Sequence, residues 1–215
     1  MSSRTRIKIC GVSRPEDVAA AVDAGADAIG FVFHAGSPRH LTLERAEVLA
    51  RGLPPYVTPI GLFVNAAPEA IAAAAAAIPN LVLQFHGDET AAECAAAGRP
   101  FLKAARMSPG FDLLDFARRF SEAQGLLLDA HVEAYGGSGK VFDWSLVPRA
   151  VPHRLVLSGG LHAANVGSGI LEIRPWAVDV SSGVESSRGV KDAAAIHAFC
   201  DAVRDADSRI DASIS

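Results

Sequence analysis

Two residues that close short apolar runs carry chemistry that packing alone does not require. Cys10 ends RIKIC (Arg6–Cys10), and Asp129 ends GLLLD (Gly125–Asp129). Alternate residues of a strand share a face, so Lys8 and Cys10 point the same way. A thiol titrates at about pH 8.5 when unperturbed, close enough to neutrality for a modest shift to make it a general base or a nucleophile. A carboxylate after a wholly apolar run must be solvated, paired or functional. From two different strands, the pair forms a base and an acid. The structural alternatives are a small buried apolar residue for Cys10 and a loop cap for Asp129. Cys94 and Cys200 fall within helical stretches and read as small core residues.

Two glycine turns add a second kind of chemistry: SGGL (Ser158–Leu161) and SSGVE (Ser181–Glu185). Backbone N–H groups at such turns, with the amino end of a helix, hold phosphate. Gly159, Gly160, Ser181, Ser182 and Gly183 are therefore the candidate phosphate ligands. Arg39, in the stretch His34–His40, offers a two-pronged donor to a substrate carboxylate. His86 and Asp179 lie at or near strand ends, as substrate contacts or as satisfied polar groups. The stretch Tyr135–Lys140 has the glycine content of a mobile lid. It lacks the GxxxxGK[ST] spacing of a P-loop, which argues against nucleoside triphosphate binding.

The elements that must position these residues repeat along the chain. Apolar, β-branched runs occur at Arg6–Cys10, Ala28–Phe33, Pro59–Val64, Leu81–His86, Pro100–Ala104, Gly125–Asp129, Arg154–Ser158 and Ala177–Ser181. Helix-compatible stretches separate them at Pro15–Ala24, Leu43–Arg51, Pro68–Ala77, Ala91–Ala97, Asp112–Ser121, Ala163–Ile173 and Asp192–Val203. The alanine run Ala72–Ala77 belongs to one of these helices, bounded by Pro68 and Pro79. Apolar strands alternating with helices signal a parallel sheet. Eight such units with no extra segment predict an α/β fold of the closed (β/α)8 TIM-barrel type, a single catalytic domain over residues 1–215. The repeat is compact, about 27 residues, against a typical barrel of about 250 in all. Only a short helix is expected in the sixth unit, within VFDWSLVPR (Val141–Arg149). In this fold the chemistry sits at the carboxyl ends of the strands, and the last two loops often bind phosphate. Cys10, Asp129 and both glycine turns occupy those positions.

Composition narrows the function classes. Half of the 215 residues are hydrophobic and the formal charge is -4, without the basic stripe of a nucleic-acid binder. The three cysteines are scattered and lack CxxC spacing, which disfavours a disulfide framework or a zinc site. No signal peptide or long apolar span is visible, so a cytoplasmic protein away from membranes is expected, as a monomer or homodimer.

Several segments together resemble the phosphoribosylanthranilate isomerase family. They are KICGV (Lys8–Val12), GADAIGFVF (Gly25–Phe33), SPR (Ser37–Arg39), QFHGDE (Gln84–Glu89), LLLDA (Leu126–Ala130), YGGSGKVFDW (Tyr135–Trp144), LVLSGGL (Leu155–Leu161), NV (Asn165–Val166) and AVDVSSGVE (Ala177–Glu185). Their order and spacing cover essentially the whole chain. The resemblance implies an Amadori rearrangement in tryptophan biosynthesis: N-(5-phosphoribosyl)anthranilate becomes 1-(2-carboxyphenylamino)-1-deoxyribulose 5-phosphate. It implies no redox cofactor and no metal. Carried over, the family's general base falls on Cys10, its general acid on Asp129, its anthranilate-carboxylate contact on Arg39 and its phosphate cradle on the two glycine turns. Phe85, His40 and Arg188 depart from the family's usual Leu, Tyr and Pro. The rivals are a related histidine-pathway phosphoribosyl isomerase, whose two-aspartate design does not match Cys10, and a catalytically silent phosphate-binding barrel.

Lys8, on the face of Cys10, is expected to help the thiol ionise. A Lys8→Met variant should titrate Cys10 at higher pH, measured by thiolate absorbance in a Cys94→Ser/Cys200→Ser background; an unchanged titration sinks the idea.

Overall fold

The computed structural model describes residues 4–130 and 141–212. Eight strands close into a parallel barrel in chain order. They are β1 (Arg6–Cys10), β2 (Ala28–Val32), β3 (Thr58–Phe63), β4 (Val82–Phe85), β5 (Phe101–Met107), β6 (Gly125–Ala130), β7 (Arg154–Leu157) and β8 (Ala177–Val180). The helices are α1 (Pro15–Asp23), α2 (Leu43–Arg51), α3 (Pro68–Ala77), α4 (Ala91–Ala96), α5 (Leu113–Arg119), α6 (Ala163–Ile173) and α7 (Ala193–Ala212). Their starts follow from local chemistry. Thr42, Thr90 and Asp112 accept N3 backbone N–H groups, and Pro15 and Pro68 open α1 and α3.

The apolar strands divide their residues between two cores. Ile7, Ile9, Phe31, Phe63, Phe85, Leu126, Leu128 and Val178 join the large cluster under the helices. Ala104, Leu127, Val156 and Ala177 form a small separate cluster. Register aligns Ala104 with Leu127, Leu127 with Val156, and Val156 with Ala177, so this cluster lines the barrel's interior. Asp129 lies two residues beyond Leu127, and Asp179 two beyond Ala177, on that same inward face. On β1 the inward residues are Lys8 and Cys10, aligned with Ala28 and Gly30 of β2.

Two elements run well past their expected ends, for physical reasons. Strand β5 runs on to Met107, past the expected Ala104, because Ala105 and Met107 remain buried and Arg106 finds a backbone partner in the His86 carbonyl at 3.1 Å. Helix α7 extends beyond Val203 to Ala212, since Ala206 and Ile210 continue its buried stripe through the charged RDADSR stretch. Among the described residues the sixth unit holds a 3-10 turn, Trp144–Leu146, with Asp143 as its cap, inside the stretch where a short helix is expected. An antiparallel hairpin that the sequence did not announce, β9 (Glu185–Ser187) and β10 (Val190–Lys191), follows β8. The expected lid, Tyr135–Lys140, lies outside the described residues.

The end of α7 also anchors the first strand. Asp207 accepts from the Thr5 backbone N–H and the Thr5 hydroxyl, both at 2.7 Å. Removing it orphans two partly buried donors, so Asp207→Ala should lose about 1–3 kcal/mol in urea unfolding while turnover in the folded fraction is kept.

Candidate active site

Local sequence creates the space in which Cys10 sits. A side chain at Gly30 would place its Cβ 2.8 Å from Cys10 Sγ and 3.1 Å from Lys8 Cε, so glycine on β2 makes room for both. Cys10 is buried, and burial pushes its thiol above the ordinary value. Lys8 and Lys191 pull it back down, and Asp179 adds to the rise. Lys8 therefore acts in the expected direction, but desolvation is the larger effect.

The interior also holds a line of paired polar groups. Lys8 Nζ donates to Asp179 Oδ2 at 3.1 Å and to Gln84 Oε1 at 2.6 Å. Burial opposes the charge on Lys8, yet Asp179 and Cys10 outweigh it and raise its pKa. Gln84 Nε2 lies 3.2 Å from His86 Nδ1, and His86 Nε2 lies 3.0 Å from Asp129 Oδ2. The other carboxylate oxygen of Asp129 accepts the Ala130 N–H at 2.9 Å. Asp179 keeps its Oδ1 buried and without a partner among the described residues.

Arg39 is already engaged. Its Nε and Nη2 donate to Glu185 at 2.6 and 2.8 Å in a buried ion pair. The Nε edge of its fork is thus occupied, which leaves the end-on edge that carries Nη1 as the one geometrically suited to a further carboxylate. Lys191 Nζ also donates to Glu185, at 2.9 Å, and the Gly189 N–H donates at 3.1 Å. Burial pushes Glu185 up, but Arg39, Lys191 and Gly189 outweigh it and hold the carboxylate below its usual range. Burial likewise lowers Lys191, partly countered by Glu185. The stem of Arg39 crosses Gly11, where φ is +73° and a Cβ would lie 2.3 Å from Arg39 Cδ.

The two glycine turns interlock. A Cβ on Gly183 would fall 1.9 Å from the Leu161 carbonyl oxygen, and one on Gly159 would fall 2.7 Å from Asp129 Oδ1. Gly159 and Gly160 both have positive φ. Asn165, in the first turn of α6, accepts the His162 N–H at 2.8 Å and donates to the Gly160 carbonyl at 3.0 Å. The amino end of α6 therefore follows the first glycine turn directly. The Ser181 hydroxyl donates to the Cys10 carbonyl at 3.1 Å, which ties the second turn to β1.

Cys10, Arg39, His86, Asp129, Gly159, Gly160, Asp179, Ser181 and Ser182 line one cavity of about 770 Å³, counted out to its open mouth. Of the candidate acid, base, substrate and phosphate residues named from the sequence, Gly183 is not on its wall, and neither is Lys8, the expected helper of Cys10. Sequence reasoning missed Gln84, Glu185 and Lys191 as site residues. For Gln84 a signal existed: it shares the inward face with His86 in a strand that is otherwise apolar. Nothing local pointed to Glu185 and Lys191, because the hairpin brings them to Arg39. Among the described residues, no three His, Cys, Asp or Glu side chains converge to hold a metal ion, and no helix is long and apolar enough to cross a membrane.

Comparison with known proteins bears on the family and the fold. The profile described as N-(5'-phosphoribosyl)anthranilate (PRA) isomerase matches residues 7–202. A relative named N-(5'-phosphoribosyl)anthranilate isomerase, from Methylibium petroleiphilum, is 69% identical over 210 residues, covering 98% of this chain and 99% of the relative. The solved phosphoribosyl anthranilate isomerase of Thermotoga maritima superposes with a TM-score of 0.85 at 41% identity, over 94% of this chain and 99% of that one. Another solved structure, described as this isomerase in complex with reduced 1-(o-carboxyphenylamino)-1-deoxyribulose 5-phosphate, superposes with a TM-score of 0.81 at 38% identity, over 94% and 99% of the two chains. The chain belongs to the phosphoribosylanthranilate isomerase family.

Proposed function

We propose that this barrel, acting as one catalytic domain, isomerises N-(5'-phosphoribosyl)anthranilate to 1-(2-carboxyphenylamino)-1-deoxyribulose 5-phosphate in tryptophan biosynthesis, with Asp129 as acid and Cys10 as base. The observation that carries it is the placement of Cys10 (β1) and Asp129 (β6) on one cavity whose wall includes two interlocked glycine turns. Family membership supplies the substrate class.

The phosphate docks on the turns of Gly159, Gly160, Ser181, Ser182 and Gly183, against the amino end of α6. The anthranilate carboxylate meets the free edge of Arg39, whose fork Glu185 holds in place. Buried Asp179 Oδ1, lacking a partner, suits a ribose hydroxyl donor. His86 sits beside Asp129 at the reacting sugar. Asp129, protonated, gives its proton to the furanose ring oxygen, and the C1–O bond breaks to leave a Schiff base. Cys10, as thiolate, removes the C2 proton. The resulting enolamine loses its enol proton and gains one at C1, which yields the ketone. Lys8 and Lys191 stabilise the thiolate while it forms. Each turnover leaves a thiol and a carboxylate, and proton exchange restores the starting pair. Three buried free cysteines suit a reducing cytoplasm.

The test follows anthranilate fluorescence on freshly generated phosphoribosylanthranilate, corrected for spontaneous hydrolysis. Cys10→Ser and Asp129→Asn should each lose about two to four orders of magnitude in kcat with the fold intact. An inactive wild type would leave the silent phosphate-binding barrel as the better reading. Glu185→Gln, which loosens Arg39, should raise KM more than it lowers kcat; the reverse pattern would place Glu185 on the reaction coordinate instead.

A further inference from the structure

A single direction of donors and acceptors runs through the interior from Lys8 to Asp129. An ammonium has three donors and no acceptor, so the group of Gln84 that faces Lys8 at 2.6 Å must be its carbonyl oxygen. The amide nitrogen of Gln84 then faces His86 Nδ1 at 3.2 Å and brings a proton to it. A ring nitrogen that accepts a hydrogen bond carries no proton. The proton of neutral His86 is thereby placed on Nε2, aimed at Asp129 Oδ2 at 3.0 Å. Gln84 is fully buried, and Lys8 is anchored from its other side by Asp179 at 3.1 Å, so neither end of the line is free to turn over.

We propose that Lys8 and Gln84 are positioning residues for the acid: together they hold His86 as the neutral Nε2–H tautomer, so that Asp129 is oriented by a hydrogen bond instead of an imidazolium ion pair. The distinction matters for the chemistry. An imidazolium at 3.0 Å would stabilise the Asp129 carboxylate and remove the proton that the ring oxygen needs. A neutral imidazole orients the same oxygen without imposing that charge. The proposal rests on the isomerase reading for its catalytic consequence, but the tautomer itself does not depend on turnover.

Among the described residues, His34 lines the same cavity as His86, and other charged groups lie nearby. Arg106 of β5 donates to the His86 carbonyl oxygen at 3.1 Å and pairs with Asp88 at 3.5 Å, on the main-chain side of the residue. Cys10 and Asp179 stand beyond Lys8, at the far end of the line. Among the described residues, the ring nitrogens meet Gln84 and Asp129.

Nitrogen-15 NMR of the histidine rings tests the tautomer directly, with His86→Asn identifying the resonance. The wild type should show one protonated nitrogen, Nε2, across the pH range of activity. Gln84→Glu keeps the shape of the side chain but offers an acceptor to Nδ1. It should keep both His86 nitrogens protonated to higher pH, move the acid-controlled limb of the pH–rate profile down by about one pH unit or more, and lower the plateau about tenfold. Lys8→Met, read by NMR alone because Lys8 also faces Cys10, should produce a mixture of tautomers as the Gln84 amide becomes free to turn. A wild-type ring protonated on Nδ1, or on both nitrogens, overturns the proposal whatever the variants do. So does a Gln84→Glu enzyme with an unchanged pH profile. Either of these with an active wild type leaves the isomerase reading standing, whereas an inactive wild type removes that reading and the catalytic consequence of the tautomer, and the NMR result still decides the tautomer itself.

Discussion

A cation inside a closed sheet imposes the arrangement around it. Lys8 points into the barrel with its side chain almost wholly buried, where an unpaired ammonium would cost several kcal/mol. The barrel supplies Asp179 from β8, in direct register with Lys8, and Gln84 from β4. Once those two partners are committed, the rest of the interior is constrained. One oxygen of Asp179 is used, and the other is buried without a partner among the described residues. Gln84 is fixed in orientation, and through it His86 and Asp129. The same cation lies close enough to Cys10 to favour its thiolate, against the burial that opposes it. Cys10 and Asp129 thus stand at two ends of one electrostatic assembly.

Glycine provides the room for that assembly. At Gly30 and Gly159 a single added carbon would collide with Cys10 and Asp129 respectively, and at Gly183 with the backbone of the neighbouring turn. These contacts are steric limits at the site. A barrel interior has a fixed radius, so functional side chains on one strand require small residues on the next.

The hairpin after β8 has a comparable role at the mouth. Glu185 gathers Arg39, Lys191 and the Gly189 N–H on one buried carboxylate. A buried anion with four charge-assisted contacts tolerates desolvation that a single ion pair would not. Its effect is to hold the guanidinium of Arg39 in one plane, which a long side chain on a loop would otherwise sample widely.

The sequence by itself determined the repeating architecture, because strand and helix periodicities and caps are local properties. It likewise marked Cys10, Asp129 and the glycine turns, because barrel chemistry is confined to strand ends. Helices α2, α3 and α6 begin and end where their caps and periodicity place them. Where a boundary depended on distant partners, local signals fell short: β5 runs past the expected Ala104 to Met107, and α7 past the expected Val203 to Ala212. Tertiary structure alone decided which charges face one another. Lys8 meets residues 76 and 171 positions away, and Arg39 meets a carboxylate 146 positions away. Pairings of that range follow from barrel closure and register, which bring remote strand ends onto one rim, and no property of a short sequence window encodes them.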